Sequence, residues 1–387
     1  MKKKIAILGS TGSIGKSLIN VIKKDKKNFE IILLTAHKNY KEVLKQANFF
    51  NVKNIIITNK ENYEIALEKN LNNNIKIFNN YNIFKNIFKN KLDYSMSSIS
   101  GLNGLVPTLD IIKYTKKIAI ANKESIICGW NLISNELKKY KTSFVPVDSE
   151  HFTIWKTLNN NSSKHVEQVY LTASGGPLLN TPLNQLKDIK ISQALKHPNW
   201  KMGKKISIDS ATMMNKVFEI IEAKNIFEIA YKKLNILVHP DSYIHSIIKF
   251  NDGLTKLIAH DTTMEIPIFN SLYSDYEKKF HSKKIDLKKL NNLRLQKVDI
   301  KKFPLIKILE IIPEHKSLFE TVIVSANDEF VNLYLKDKIK FTDISERMIK
   351  FLNLVEFSKY KKIKSFKIKD INKLSEYVRF KINAMSI

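Results

Sequence analysis

The segment His197-Pro198-Asn199-Trp200-Lys201-Met202-Gly203 runs shortly into Asp209-Ser210-Ala211-Thr212-Met213-Met214-Asn215-Lys216-Val217-Phe218-Glu219. A donor-rich loop entering a helix whose first turns carry Ser, Asn, Lys and Glu suits an anion and a metal ion held side by side. Met214, Val217, Phe218 and Ile221 recur at i, i+3, i+4 and i+7, which gives the helix one apolar face. Asn215, Glu219 and Glu222 form a polar stripe, with Lys216 three residues before Glu219. Asp209 or Ser210 is the candidate N-cap, leaving backbone N–H groups directed at a phosphate. By itself the helix also reads as an amphipathic surface helix with a solvated Lys–Glu pair. His197, Trp200 and Met202 argue against that, being poor choices for a solvated linker.

Further clusters carry complementary chemistry. Val147-Asp148-Ser149-Glu150-His151 sets two carboxylates two residues apart, on the same side of an extended chain. With Glu219 they make a three-carboxylate set for a hard divalent ion, Mg²⁺ or Mn²⁺, although neighbouring acids are also common on surfaces. Ala173-Ser174-Gly175-Gly176-Pro177 ends a strand with a hydroxyl and two glycines, suited to a phosphate or to a plain turn. Gly9-Ser10-Thr11-Gly12-Ser13-Ile14-Gly15 follows the first strand and opens a helix, a G-x-x-G-x-x-G variant of the dinucleotide turn. The second strand ends at Thr35-Ala36-His37-Lys38-Asn39 with no acid for a ribose diol. Lys38 and Asn39 there favour a 2′-phosphate, hence NADP, or are simply solvated. Asn122-Lys123-Glu124 follows a strand at the carboxyl edge where open sheets bind ligands, or serves as an ordinary helix start.

These groups need a scaffold. Lys4–Leu8, Glu30–Thr35, Asn54–Ile57, Asp93–Met96, Ile118–Ala121 and Ser143–Val147 read as strands alternating with helices, the pattern of a parallel, doubly wound sheet. Residues 1–147 thus form a Rossmann-like, dinucleotide-binding domain of an α/β protein. Residues 148–273 mix helices with alternating strands such as Glu167–Ala173 and Tyr243–Phe250, giving an antiparallel or mixed sheet in a central catalytic domain. Residues 274–300 are Lys-rich and weakly periodic, a linker. Residues 301–387 read as short amphipathic helices, including Phe319–Leu335 and Ile344–Leu354.

Bulk properties narrow the function. The 387 residues allow two or three domains with real cores, and 43% hydrophobic content with mean hydropathy −0.23 describes a soluble chain. No apolar run is long enough to span a bilayer, and Met1–Gly9 reads as a first strand, not a signal peptide. One cysteine, Cys128, excludes an internal disulfide and fits a reducing compartment, so a cytoplasmic location is expected. The net charge of +28 comes almost wholly from Lys, with Arg only at 294, 347 and 379. That spread-out Lys, alongside abundant Asn and Ile, reads as compositional drift, not as specific nucleic-acid binding.

Taken in order, these segments closely resemble the 1-deoxy-D-xylulose 5-phosphate reductoisomerase family over roughly residues 4–270, with His239-Pro240 and Ile244-His245-Ser246 adding to the match. The resemblance implies an NADPH- and metal-dependent homodimer with a C-terminal helical bundle and no membrane partner. The implied reaction rearranges the carbon skeleton of a sugar phosphate, then reduces the aldehyde to 2-C-methyl-D-erythritol 4-phosphate. By likeness, Asp148, Glu150 and Glu219 hold the metal. Lys123, Ser149, Glu150, Ser174, His197, Trp200, Ser210, Asn215, Lys216 and Glu219 meet the substrate, with Trp200 and Met202 on a flap. Lys123, Asp148, Glu150, His197 and Glu219 form the catalytic set. Thr11, Gly12, Ser13, Ile14, His37, Lys38, Asn39, Asn122, Glu124 and Gly203 serve NADPH. The chain departs from the family at His37, usually Gly, and at His260, Thr263 and Glu265, usually Gly, Asp and Arg. Ser325-Ala326-Asn327-Asp328 keeps its family motif only in part. An NADP-dependent dehydrogenase of another phosphorylated substrate, without isomerisation, is the alternative.

Overall fold

A computed structural model describes residues 2–70, 74–159, 162–200, 202–273, 278–364 and 366–385; Lys201 of the donor-rich loop and 274–277 of the expected linker lie outside them. The chain divides into two compact units. The first comprises 1–126, 130–148 and 264–281, the second 127–129, 149–263 and 282–387.

In the first unit, short β-branched runs form seven parallel strands: β1 Lys3–Leu8, β2 Phe29–Ala36, β3 Asn54–Ile57, β4 Lys76–Phe78, β5 Leu92–Ser97, β6 Thr115–Ile120 and β7 Ser143–Pro146. Their order is β4-β3-β2-β1-β5-β6-β7, so the sheet reverses direction of growth beside β1. This is the expected doubly wound pattern, with its ligand edge at the carboxyl ends of β1, β5 and β6. The edge strand β4, three residues long, is too brief to give a sequence period. Leu18 and Ile22 of helix Ser13–Lys24 are fully buried in the core with Ile5, Ile7 and Leu34. Asn39 and Asn122 cap the helices that follow β2 and β6, accepting from the backbone N–H of Glu42 and Ser125.

Helix Glu265–Leu272 belongs to this first unit, adding Ile268 and Leu272 to its core. The Tyr94 hydroxyl lies 2.8 Å from Ser271 Oγ, and Lys24 pairs with Glu265 at 2.7 Å. Glu265, a departure from the family pattern, therefore has a partner of opposite charge within the same unit.

The second unit is built on a mixed sheet in the order β11-β10-β8-β9-β12, from β8 Val166–Ala173, β9 Leu234–Val238, β10 Ile244–Phe250, β11 Thr255–Ala259 and β12 Gln296–Lys297. β8 and β9 run parallel, whereas β10 pairs antiparallel with both β8 and β11. Helices Ser149–Leu158 and Met214–Phe227 pack Ile154, Leu158, Ile220 and Ala223 onto Val169, Leu171 and Ile248. Of residues 274–300, read from sequence as linker, the described part holds helix Leu287–Asn291 and β12, which pairs with β9. Helices Phe319–Leu335, Phe341–Leu352 and Ile368–Met385 follow, the first largely buried and starting and ending where its periodicity predicts. No helix among the described residues is long and apolar enough to cross a membrane.

The Gly-rich turn after β1 is held by steric need. Gly9 has φ +82°, and a Cβ there would lie 2.7 Å from the Ser98 carbonyl oxygen. A Cβ on Gly15 would meet Ser10 Cα at 2.6 Å, backbone against backbone. Gly203, by contrast, would present its Cβ to open space. Gly15→Ala should therefore cost about 1–3 kcal/mol through overpacking. Gly203→Ala should stay within about 0.5 kcal/mol of the parent. Denaturant titration of both variants checks the contrast; equal stabilities would contradict this account of the turn.

Candidate active site

The strand β7 ends at Pro146, and helix Ser149–Leu158 begins three residues later, so Asp148 and Glu150 lie on either side of the helix start. The extended backbone expected for this pair is absent. Their approach is nonetheless set by three consecutive residues. Glu219 enters from helix Met214–Phe227, and one oxygen of each of Asp148, Glu150 and Glu219 lies within 4.8 Å of the others.

The helix expected from about Asp209 is in fact two helices, Lys204–Ala211 and Met214–Phe227. Met213, at φ +65°, is left-handed and separates them. Thr212 Oγ1 donates back to the Ile208 carbonyl at the break. Asp209 is therefore not an N-cap: it lies within the first helix, 2% exposed, and pairs with Lys205 at 2.8 Å and with Asn327 Nδ2. Burial holds its carboxyl above the usual range despite Lys205. Met214, Val217, Phe218 and Ile221 are buried as the apolar face requires, but Glu219 and Glu222 are each only 1% exposed. The Lys–Glu pair is thus not a solvated surface pair.

Lys216 Nζ donates to Glu150 Oε1 at 3.0 Å, to the Thr172 carbonyl at 2.5 Å and, closer still, to Glu219 Oε2. Burial works against its charge, yet Glu150 and Glu219 outweigh that and hold the ammonium above the usual lysine range. The remaining glutamate oxygens take neutral donors, Ser149 Oγ at 2.6 Å on Glu150 and Asn215 Nδ2 at 2.5 Å on Glu219. Lys123 Nζ lies 2.5 Å from Asp148 Oδ2. Two residues that spacing did not single out complete the frame. Thr172 contributes only its carbonyl, which leaves no mark in sequence. His151 Nε2 donates to the backbone oxygen of Glu219 at 2.9 Å, anchoring that turn.

Ser174 follows β8 directly. Its hydroxyl oxygen accepts from the Gly176 N–H at 3.1 Å and lies 3.0 Å from His197 Nε2. His197 Nδ1 accepts from both the Asn199 and Trp200 N–H groups, so it carries no proton. The Nε2–H therefore donates to Ser174, whose own hydrogen is left for a ligand. Burial lowers the His197 pKa to about 4, in keeping with a neutral ring. A Cβ on Gly176 would meet the Ser210 carbonyl oxygen at 2.6 Å, which brings the Ser174 turn against the end of helix Lys204–Ala211. Asn199 Nδ2 fixes the loop by donating to the Pro240 carbonyl at 2.6 Å. The Trp200 ring meets His245 edge-on at 6.1 Å, and His245 stacks on His260 at 3.9 Å. His260, where the family has Gly, is thus a packing element of this loop's floor.

Within the first unit, Gly12 caps helix Ser13–Lys24 without a side chain, and Gly12 and Ser13 are exposed, while Thr11 and Ile14 are half-buried. His37, Lys38 and Asn39 are exposed after β2; His37 Nδ1 lies 2.9 Å from Thr58 Oγ1. Asn122 is committed elsewhere. Its amide donates to the Ile99 and Gly101 carbonyls while its oxygen caps the next helix, so its side chain organises the edge and offers no spare donor. Glu124, in that helix's first turn, is buried. Gly203 lies in the second unit, exposed at the start of helix Lys204–Ala211.

Three family models cover most of the chain: 1-deoxy-D-xylulose 5-phosphate reductoisomerase over 5–129, its C-terminal domain over 144–227, and a DXP reductoisomerase C-terminal domain over 261–381. The 1-deoxy-D-xylulose 5-phosphate reductoisomerase of Pelagibacter ubique is 59% identical over 387 residues, covering 100% of both chains. That of Wolbachia pipientis from Culex pipiens is 39% identical, covering 97% of this chain and 94% of its own. Among solved structures, the Zymomonas mobilis reductoisomerase in complex with NADPH aligns with TM-score 0.87 at 29% identity, covering 100% of this chain and 99% of its own. A DOX-P reductoisomerase in complex with NADPH, fosmidomycin and magnesium aligns with TM-score 0.90 at 28% identity, covering 99% and 98%. Sequence identity over the full length and a shared fold agree: the chain belongs to the 1-deoxy-D-xylulose 5-phosphate reductoisomerase family.

Proposed function

We propose that this chain converts 1-deoxy-D-xylulose 5-phosphate to 2-C-methyl-D-erythritol 4-phosphate using NADPH and a divalent ion. The observation that carries this reading is the convergence of Asp148, Glu150 and Glu219, with Lys216 bridging Glu150 and Glu219 to the Thr172 carbonyl two residues before Ser174. Carboxylate oxygens are the donors a hard ion takes, and Asp148, Glu150 and Glu219, with one oxygen of each within 4.8 Å of the others, would hold it. Bound there, the ion supplies Lewis-acid stabilisation of charge developing on adjacent substrate oxygens. NADPH supplies the hydride for the reduction.

The chain's own residues bind, orient and shield. Ser174 offers its hydroxyl hydrogen to a phosphate oxygen, aimed by the neutral His197 ring behind it. The buried Asn215 Oδ1, without a hydrogen-bond donor among the described residues, suits a substrate hydroxyl. Ser210 and Lys216 complete the anion's surroundings. Lys123, held against Asp148, keeps a positive group at the carbon skeleton. Trp200 covers the site as an apolar lid that excludes water. Thr11 to Ile14 at the uncapped helix start suit the pyrophosphate, and Lys38 the 2′-phosphate. A homodimer, use of Mn²⁺ as well as Mg²⁺, and a cytoplasmic setting complete the reading. They are supported by the family resemblance and, for the setting, by the lone buried Cys128.

NADPH oxidation with 1-deoxy-D-xylulose 5-phosphate, followed with and without Mg²⁺, tests the whole assignment; no metal-dependent oxidation would sink it. Asp148→Asn should abolish turnover while NADPH affinity, measured by fluorescence titration, stays near the parent value. Ser174→Ala should raise KM for the phosphorylated substrate by the worth of a charge-assisted hydrogen bond, about 1.5–3 kcal/mol, with a smaller effect on kcat. The pH dependence follows from His197. Its folded value of about 4 lies below the ordinary 6.5, so the folded ring stays neutral above about pH 4 and its contribution to stability is fully present above pH 6.5. Its contribution to stability is lost as pH falls from 6.5 toward 4. Between pH 6 and 8, KM should therefore show no inflection that His197→Ala removes.

A further inference from the structure

Lys216 stands where two jobs conflict. As a phosphate ligand it needs a free N–H, but its ammonium has three hydrogens and three acceptors: Glu150, Glu219 and the Thr172 carbonyl. Two of those acceptors are oxygens of the metal-binding acids. The other oxygen of each glutamate is held by a neutral donor, Ser149 or Asn215, so the pair facing Lys216 is the pair available to a cation. A divalent ion on those oxygens and an ammonium in contact with the same atoms repel each other strongly in a site this poorly solvated, with Lys216 3% exposed and Glu219 1%.

We propose that Lys216 couples the cation and anion subsites: its ammonium is a resident counter-cation among the carboxylates, and divalent-ion binding displaces it toward the substrate phosphate. The inference rests on the metal reading above. Lys123 gives Asp148 the same neutralisation, so two lysines together supply the two positive charges that a divalent ion brings. The path is marked by Thr172, which takes the third N–H and lies two residues before Ser174, the residue that follows the strand. Once released, the ammonium carries unsatisfied donors that an anion held at the Ser174 hydroxyl can take. Cation binding therefore strengthens phosphate binding, and by linkage phosphate strengthens cation binding by the same factor.

Calorimetric titration of Mg²⁺ into the full chain, with and without saturating inorganic phosphate, tests this. Wild type should bind Mg²⁺ about 5–150-fold more tightly with phosphate present, the range of ordinary coupling between sites. Lys216→Met should bind Mg²⁺ more tightly than wild type without phosphate, and phosphate should then add little. Lys216→Arg, which keeps the charge, should not show the gain. A Lys216→Met affinity equal to or weaker than wild type, or phosphate coupling unchanged in that variant, overturns the proposal. Should Lys216→Met fail to fold, judged by circular dichroism, the phosphate effect in wild type decides: its absence overturns the proposal, and its presence together with a Lys216→Arg affinity no tighter than wild type supports it. Wild type binding no Mg²⁺ at all overturns the metal reading itself, a result distinct from Mg²⁺ binding without coupling.

Discussion

Bringing three carboxylates within reach of one another inside a folded chain is the constraint on which the candidate site depends. Each desolvated anion repels its neighbours and has lost water, so the arrangement stands only if positive charge and hydrogen-bond donors replace what was lost. The chain meets this with ammonium groups from Lys123 and Lys216 and with neutral donors from Ser149 and Asn215. Ser149 and Asn215 lie within four residues of the glutamates they serve, and Lys216 within three of Glu219, but Lys123 reaches Asp148 from 25 residues away and Lys216 reaches Glu150 from 66. Local chain geometry thus does part of the placing, and tertiary contact does the rest.

The Ser174–His197 pair is set in a similar way. The His197 ring is fixed by two backbone N–H groups on one nitrogen, which leaves the other to donate to Ser174. A side chain that is often read as an acid–base candidate here works as an oriented neutral dipole. Its low pKa is a consequence of burial, and its chemistry is to decide which way a hydroxyl points.

Much of the scaffold was legible in the sequence. Runs such as Ile5–Leu8 and Ile55–Ile57 fill a sheet buried on both faces and read as continuous apolar strands. The Gly-rich turn was visible because steric demand leaves only glycine at Gly9 and Gly15. Other features were hidden. The break at Met213 could not be read, since a left-handed methionine has no propensity signature and is imposed by packing. Helix Glu265–Leu272 joins the first unit through Ile268 and Leu272, contacts distant in the chain that no local period reveals. Asn122 shows how a motif residue can be right in position and ambiguous in role: it stands at the carboxyl edge of the sheet, but its side chain is spent on holding one loop and a helix start.

The approach of Gly176 to Ser210 has a consequence for how this site can vary. With φ +67° and a carbonyl oxygen where a Cβ would go, position 176 admits no side chain without moving the backbone that presents Ser174. Sequence drift is therefore barred at position 176 and open at Gly203, where an added Cβ meets nothing within 4 Å.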